Sequence, residues 1–350
     1  MSYARILNRT WTDHILHSVM LELTYRCNLN CVVCYNDREL QETPLVTGQY
    51  QSLFEDLRDL GTFDLTFSGG EPLLHPAFFQ LGARARSLGF VVRVKTNGHA
   101  LGQRLVRRLK DEIDPFVVEV SLHGAKAASH DRQTRTAGSF ERLLGHLRNM
   151  REVGLRVRLK SPLTAWNEQE IEDMFELADR LGLPLDVDPQ LTPRDDGDRA
   201  PLAISSSADG RRRLFARFAE RGRAHSDARE QTLRQAAPVP DVPPVPSPHC
   251  GAGSANVLID PFGNVYPCVQ WRRPLGNLHR QSIREIWTAS PALAEVRQLG
   301  AQVKTWLDGH DTQARAVGFC PGLAEQMTGS PLCLYPSVQP DLVTLNQLEQ

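Results

Sequence analysis

The feature that most constrains the fold is a regular alternation of short apolar runs with amphipathic segments between residues 19 and 188. The apolar runs have the length and composition of strands and lie near 19–24, 63–67, 91–96, 116–122, 155–160 and 184–188. The segments between them have helical periodicity and lie near 47–60, 77–88, 101–112, 139–153 and 168–182. This order predicts an α/β protein with a parallel sheet.

Most of the predicted strands have one apolar face and one polar face. In the fourth run, Val118 and Val120 alternate with Glu119 and Ser121, and successive side chains of a strand point to opposite faces of the sheet. A closed eight-stranded barrel fills its lumen with branched apolar residues, whereas here the apolar faces are needed against the outer helices. We therefore expect a polar, wet lumen, in preference to polar faces that are simply solvated.

Three cysteines, Cys27, Cys31 and Cys34, form a C-x3-C-x2-C loop directly after the first predicted strand. Structural zinc sites and electron-carrying iron–sulfur sites usually complete their coordination with four protein ligands. A cluster that is held by three thiolates leaves one iron open for a small molecule. The spacing alone also leaves a zinc knuckle open as an alternative.

The second predicted strand ends in Gly69-Gly70-Glu71, about 35 residues after the cysteine loop. Glycine lets a backbone approach a ligand closely, and a carboxylate there can accept hydrogen bonds from an amino group. Together with the cysteine loop, this motif resembles the radical S-adenosylmethionine (SAM) enzymes. The resemblance implies a partial (β/α)6 TIM-type barrel and an enzyme that cleaves SAM reductively to a 5′-deoxyadenosyl radical.

The same resemblance implies roles for individual residues. Cys27, Cys31 and Cys34 would bind a [4Fe-4S] cluster whose open iron binds SAM. Asn97 and Ser121 match positions that bind the ribose and carboxylate of SAM, and Lys160 would neutralise that carboxylate, meet an acidic substrate or extend out of the barrel end. The predicted SAM-binding residues are therefore Gly69, Gly70, Glu71, Asn97, Ser121 and Lys160.

Two positions depart from the family pattern. Val33 precedes the third cysteine, where an aromatic residue is usual, so the group that lies along the adenine is left open. His123 stands where peptide-modifying members often have Asp or Tyr. His123 is interpreted either as a proton carrier or as a helix-capping or hydrogen-bonded histidine.

The other four cysteines lie beyond a proline-rich spacer at 237–248. Cys250 and Cys268 flank a predicted β-hairpin with its turn at Phe262-Gly263, which would bring the two thiols together. This arrangement resembles the SPASM/twitch extension that holds auxiliary [4Fe-4S] clusters in many radical SAM enzymes.

Cys320 and Cys333 are the last two cysteines of the chain and complete a second set of thiols. Four thiolates, with Cys250 and Cys268, suffice for one auxiliary [4Fe-4S] cluster but not for the two clusters of a full SPASM domain. A four-cysteine zinc site is the alternative, because the thiolate set alone does not separate zinc from iron.

These features divide the chain into five predicted segments. They are an N-terminal extension (1–18), a radical SAM partial barrel (19–190), a helical and proline-rich linker (191–248), a SPASM/twitch-like auxiliary cluster domain (249–336) and a C-terminal tail (337–350). The extension is too short for a fused leader-peptide binder, so leader recognition is expected from a separate protein or from the barrel rim.

The composition excludes several partners. Lys plus Arg number 40 against 41 Asp plus Glu, which gives no electrostatic footprint for nucleic acid. No apolar run has the length of a membrane span, and the N-terminus lacks a signal-peptide core. Seven cysteines without an export signal indicate metal ligands in the reducing cytoplasm.

The resemblance implies a maturase that abstracts a hydrogen atom from a ribosomally made peptide or protein, with a reductant such as flavodoxin or ferredoxin. Two clusters use all seven cysteines, so no free thiol remains to return a hydrogen atom, as peptide epimerases of this superfamily do. We therefore expect net oxidation, with side-chain cross-linking favoured. The alternatives are a radical SAM enzyme for a small-molecule cofactor or metabolite precursor and a non-catalytic iron–sulfur electron-transfer or scaffold protein. The substrate, the bond formed and the oligomeric state are left open.

Overall fold

The computed structural model describes residues 9–233, 249–310, 318–336 and 338. Its centre is one nine-stranded sheet with the strand order β6-β5-β4-β3-β2-β1-β7-β8-β9. The strands are β1 Ser18–Glu22, β2 Asp64–Ser68, β3 Val91–Thr96, β4 Val117–Ser121, β5 Val157–Pro162, β6 Leu185–Asp188, β7 Asn256–Ile259, β8 Asn264–Tyr266 and β9 Gly276–Asn277. Strands β1 to β6 are parallel and adjacent in chain order. Because β6 and β9 are the two edges, the barrel is open, as predicted.

The helices are α1 Thr47–Asp59, α2 Phe78–Ser87, α3 Gln103–Arg108, α4 Ala127–Thr134, α5 Ser139–Glu152, α6 Ile171–Leu181, α7 Ala208–Leu233, α8 Ile283–Ala289, α9 Pro291–His310 and α10 Pro321–Thr328. Of these, α1 to α6 connect the parallel strands β1 to β6 along one face of the sheet, and α7 to α10 follow β6 in the chain. The predicted helix 101–112 is shorter than expected, because its second half is a π-helical turn at Leu109–Ile113. The sequence reading missed α4, which is short and mostly polar.

The two faces of the strands separate as their alternation predicts. The apolar residues pack against the helices; Phe67 of β2, for example, lies between Phe54 of α1 and Phe78 of α2, with ring centroids 6.4 and 6.0 Å away. The polar residues form ion pairs on the opposite face. Directly opposed residues of neighbouring strands make two of them, Lys95–Glu119 at 3.8 Å and Lys160–Asp186 at 2.6 Å. The lumen is therefore polar.

The C-terminal segment continues the sheet of the barrel. Strand β7 pairs in parallel with β1, and β8 returns antiparallel to β7. The turn between them ends at Gly263, whose φ of +80° is a left-handed conformation that glycine adopts without strain. The hairpin prediction is confirmed, while the five segment boundaries stay predictions. The proline-rich spacer 237–248 and, apart from residue 338, the tail 337–350 lie outside the described residues.

Among the helices in the described part of the chain, none combines the length and apolar character that a membrane crossing requires.

Candidate functional site

The cysteine loop follows β1 and packs against the Gly-Gly-Glu segment that follows β2. Gly70 N donates to Thr24 O at 2.7 Å, and Glu71 N donates to Arg26 O at 2.9 Å. A Cβ atom on Gly69 or Gly70 would collide with backbone oxygens of the loop, and Gly69 has a φ of +125°. The two glycines are therefore required where these segments meet.

The three thiols of the loop are neighbours. Burial raises the pKa of Cys31 to about 12, and the nearby Cys34 and Cys27 sulfurs add to that rise. Burial also raises the pKa of Cys27, while the Arg38 guanidinium acts in the opposite direction on both thiols. Such burial disfavours the free thiolates of Cys27 and Cys31, so a cationic partner is needed to keep these two deprotonated.

Polar groups surround each sulfur of the loop. Asn97 Nδ2 and Leu29 N each donate to Cys27 Sγ at 3.5 Å. His123 Nε2 lies 3.9 Å from Cys31 Sγ, and Arg38 Nη2 lies 4.0 Å from Cys34 Sγ. Donors of this kind stabilise the sulfurs of an iron–sulfur cluster and tune its potential.

The donor set of the loop fits an iron–sulfur cluster. Cys27, Cys31 and Cys34 all line one cavity, and a [4Fe-4S] cluster is held by cysteine thiolates that bind different irons.

Glu71 is completely buried and organises the end of β3. Its oxygens accept hydrogen bonds from Thr96 Oγ1 and Asn97 N at 2.9 Å and from Leu73 N at 3.3 Å. Burial raises the pKa of Glu71 to about 7, and the hydrogen bonds from Asn97 and Thr96 oppose that shift. The carboxylate thus orients Asn97, and its predicted contact with the amino group of SAM stays a prediction.

A cavity of about 340 Å³ lies over the cysteine loop. It brings together most of the residues predicted from the sequence, namely Cys27, Cys31, Cys34, Gly69, Gly70, Asn97 and Ser121. Glu71 and Lys160 are not among its lining residues. Val33 and Tyr35 both line it, so either can lie along a bound ring.

A second cavity of about 530 Å³ adjoins the first in the lumen. The two cavities share five lining residues, which are Lys95, Ser121, Pro162, Asp188 and Gln190. Lys160 lies in this second cavity, where its Nζ donates to Asp186 Oδ2 at 2.6 Å. Burial raises the pKa of Asp188. Lys160 therefore lines the second cavity and is not among the residues that line the first.

His123 belongs to a buried cluster of three histidines next to the cysteine loop. Its ring centroid lies 5.5 Å from that of His130, which lies 6.3 Å from that of His99. Burial lowers the pKa values of His99 and His123 to about 4 and that of His130 to about 3. All three rings are therefore neutral at pH 7, and His123 caps no helix.

Three of the C-terminal cysteines form a second group. Burial raises the pKa of Cys268, and the nearby Cys250 and Cys320 sulfurs contribute to the rise. Burial raises the pKa of Cys320 to about 11. Cys333 is exposed. However, Tyr335, two residues later, accepts a hydrogen bond from Cys320 N at 3.1 Å, so the Cys333 segment lies beside the group.

Gln270 connects the two cysteine groups. Its Oε1 accepts a hydrogen bond from Cys320 Sγ at 3.2 Å, and the same residue lines the cavity over the first cysteine loop. Gln270 reaches this position because it follows the β7–β8 hairpin, which is joined to the barrel by the pairing of β7 with β1. A group bound at the C-terminal cysteines would therefore border the cavity over the first cysteine loop.

The sequence reading missed several lining residues. Lys95 lies on the polar face of β3, two residues before Asn97, so its alternation could have identified it. Arg38 and Gln270 lie in irregular segments, where no periodicity indicates which side chain faces inward.

Comparisons with known proteins agree with this geometry. The radical SAM superfamily profile matches residues 21–181, and the SPASM iron–sulfur cluster-binding domain matches residues 250–313. Mycofactocin maturase MftC of Mycobacterium ulcerans is 29% identical over 318 residues, which cover 89% of this chain and 84% of the relative. AdoMet-dependent heme synthase of Methanosarcina barkeri is 28% identical over 293 residues, covering 79% and 83%.

Two solved structures share the fold over nearly the whole chain. Streptococcus suis SuiB bound to the precursor peptide SuiA superposes with a TM-score of 0.67 at 13% identity, covering 94% of this chain and 78% of that one. Native anSMEcpe with bound AdoMet and the Cp18Cys peptide has a TM-score of 0.67 at 15% identity, covering 94% and 96%. At these identities the similarity concerns the fold.

Proposed function

Because this chain belongs to the radical SAM enzymes and carries a C-terminal SPASM domain, we propose that it oxidatively modifies a ribosomally made peptide or protein. Its cofactors are SAM, a [4Fe-4S] cluster open to SAM and an auxiliary iron–sulfur cluster. When bound, they supply a 5′-deoxyadenosyl radical and an electron acceptor. The proposal extends this chemistry to a substrate class and to a net oxidation.

One observation carries the proposal, namely the wall that the two lumen cavities share. The cavity at Cys27, Cys31 and Cys34 adjoins the larger polar cavity along Lys95 and Asp188. A substrate segment in the larger cavity would therefore lie next to SAM held in the smaller one. Among the described residues the sheet does not close on itself, and an open barrel of this kind would admit a segment of an extended chain.

We assign the following roles to the chain's own residues. Cys27, Cys31 and Cys34 would hold the first cluster, and Cys250, Cys268, Cys320 and Cys333 the auxiliary one. The bare backbone at Gly69 and Gly70 would leave room for the amino acid part of SAM, and Asn97 and Ser121 would bind its polar groups. Lys160 would bind the substrate, because its ion pair lies in the second cavity.

The expected reaction is an oxidation because no thiol is placed to return a hydrogen atom. Among the described cysteines, those that line the two cavities are Cys27, Cys31 and Cys34, all assigned to the cluster. Oxidation of a substrate by two hydrogens removes one hydrogen atom, one electron and one proton. Asp188, whose pKa is raised by burial, lines both cavities and can accept that proton. We favour a side-chain cross-link as the product.

A small-molecule substrate is the second candidate. The heme synthase relative is about as similar to this chain as the mycofactocin maturase. Lys95 and Lys160 in the second cavity could also bind the carboxylates of a tetrapyrrole or another acidic precursor. In either case an external reductant such as flavodoxin or ferredoxin is expected. A separate leader-binding protein is expected only for a peptide.

The two candidates are separated by one anaerobic experiment. Reconstituted protein, SAM and dithionite are incubated either with peptides encoded beside the gene or with iron coproporphyrin III, and 5′-deoxyadenosine and product masses are measured. The proposal predicts a peptide product that lacks two hydrogens. If the porphyrin is converted and the peptides are unchanged, the second candidate replaces the proposal of a peptide substrate. A matched control is the variant in which all three loop cysteines are alanine.

A further inference from the structure

A single buried arginine lies between the barrel and the C-terminal cysteine segment. Arg272 follows Cys268 by four residues, and its side chain is only 10% exposed. Its Nη1 and Nη2 donate to Glu22 Oε2 at 3.2 Å, and its Nε lies 2.9 Å from Asp195 Oδ1. The guanidinium thus contacts two carboxylates from different parts of the chain.

Glu22 connects this arginine to the first cysteine loop. It is the last residue of β1, and its side chain is completely buried. Its oxygens accept hydrogen bonds from Tyr35 Oη at 2.8 Å and from Asn36 Nδ2 at 3.3 Å. Tyr35 directly follows Cys34, so the carboxylate fixes the end of the loop.

Asp195 joins the same network from the linker. Its backbone N donates to Tyr35 O at 2.8 Å. The Arg272 guanidinium also lies over the rings of Tyr35 and Tyr266, at 5.8 and 5.2 Å from their centroids, distances at which a cation is attracted to a ring face. Tyr35 is therefore held by contacts on several sides.

Stability alone does not account for such a network. Two buried carboxylates and one guanidinium cost desolvation energy that their attraction often fails to exceed, and well-packed apolar residues are often as stable. A planar guanidinium with several donors, in contrast, fixes the relative positions of its partners, because it can bind two acceptors at once. The network is therefore suited to fixing the relative positions of the segments that carry Arg272, Glu22 and Asp195.

We propose that Arg272 is a positioning residue that holds the Cys27–Cys34 loop at a fixed distance and orientation from the C-terminal cysteine site. The inference rests on the proposed assignment of the first cluster to that loop. Between Cys268 and Arg272 lie Val269 and Gln270, which both line the cavity. Arg272 therefore fixes this part of the cavity wall together with the loop.

The test compares Arg272→Met with Arg273→Met in reconstituted protein. Arg273 is the adjacent residue and pairs with Glu295 and Glu325 nearer the surface, with a side chain 29% exposed. We expect Arg272→Met to accelerate hydrogen–deuterium exchange of the loop amides by roughly tenfold or more, as for loss of a hydrogen bond to a charged group. We also expect it to weaken the change that SAM causes in the EPR spectrum of the reduced cluster.

Further variants keep the inference testable if Arg272→Met does not fold. Arg272→Lys keeps the charge but loses the two-acceptor geometry and should show the same EPR and exchange changes. Glu22→Gln should show them too, and where Arg272→Met folds, the double variant Glu22→Gln/Arg272→Met should be no worse than Arg272→Met. Wild-type-like exchange and EPR in Arg272→Lys would overturn the inference, as would additive effects in the double variant. A wild-type protein whose EPR spectrum is unchanged by SAM would instead refute the cluster assignment.

Discussion

The side-chain amide of Asn97 donates to Cys27 Sγ at 3.5 Å, while its backbone N donates to Glu71 Oε2 at 2.9 Å. The end of β3 is therefore tied both to the cysteine loop and to the Gly-Gly-Glu segment. Asn97 therefore connects two motifs that are far apart in the sequence.

Replacing Glu71 by alanine should weaken SAM binding while both clusters still assemble. The carboxylate fixes Thr96 and Asn97 at the cavity edge, whereas the proposed cluster ligands are all cysteines. The loss of one charge-assisted hydrogen bond corresponds to roughly 1.5–3 kcal/mol of SAM binding free energy. SAM titration followed by EPR measures the affinity, and exposed Glu112→Ala is the control. Unchanged affinity would remove Glu71 from the SAM site.

The iron content should report two separate clusters. The intact protein should hold about eight irons, and replacement of Cys27, Cys31 and Cys34 by alanine should leave about four and abolish SAM cleavage. Iron assay and anaerobic 5′-deoxyadenosine analysis measure both quantities. Zinc at the C-terminal cysteines, or unchanged iron in the triple variant, would contradict the two-cluster account.

The role of Cys333 can be tested by the same assay. If it is the fourth auxiliary ligand, Cys333→Ala should destabilise the auxiliary cluster and leave the first cluster and its response to SAM intact. Cys333 is exposed and lies two residues before Tyr335, whose hydroxyl accepts a hydrogen bond from Cys320 N. An auxiliary cluster with unaltered EPR signal in Cys333→Ala would reduce the protein ligands to three.

Lys160 should matter for the substrate and not for SAM. Its ion pair with Asp186 lies in the second cavity, outside the lining of the cysteine cavity. Lys160→Met is therefore expected to leave SAM affinity and substrate-free SAM cleavage unchanged, and to lower turnover of the substrate. Lys95→Met is the matched comparison, because Lys95 borders both cavities. Weaker SAM binding in Lys160→Met would restore the alternative that it binds the SAM carboxylate.

The buried His130 should make stability fall on acidification. The folded-state pKa of His130 is about 3, below the ordinary value of 6.5. At pH values between these two, the unfolded chain binds a proton at this histidine and the folded chain does not. Stability then falls as pH decreases through this window, by up to about 1.4 kcal/mol for each pH unit. His130→Asn should therefore lose less stability than wild type between pH 7 and pH 5.

Urea unfolding of cluster-free protein at both pH values measures this difference. Asparagine retains an acceptor for His123 N, which donates to His130 Nδ1 at 3.1 Å. Exposed His279→Asn is the control and should behave as wild type. If His130→Asn and wild type lose the same stability between pH 7 and pH 5, the lowered pKa of His130 is contradicted.

Much of the barrel could be predicted because each strand carries its own periodic signal. The alternation of Val118 and Val120 with Glu119 and Ser121 is enough to orient β4 and to place Ser121 in the lumen. The loop motifs are equally local, and the structure places Cys27, Gly69 and Asn97 in the lining of one cavity.

The contacts between distant segments could not be predicted in the same way. The pairing of β7 with β1 and the ion pair of Arg272 with Glu22 join residues more than 200 positions apart. No local pattern marks Arg272 as buried, since an arginine in a loop is ordinarily solvated. Likewise, only the fold shows that Lys160 pairs with Asp186 and lies beyond the cysteine cavity.

The central claim is tested most directly by the mass of a peptide product formed in deuterated water. Reconstituted protein is incubated anaerobically with SAM, dithionite and a peptide encoded beside its gene, and the product is analysed by tandem mass spectrometry. The account predicts a product that has lost two hydrogens and carries no deuterium at carbon, with fragmentation that indicates a side-chain cross-link. A product of unchanged formula with deuterium at an α-carbon would mean epimerisation and would contradict the account.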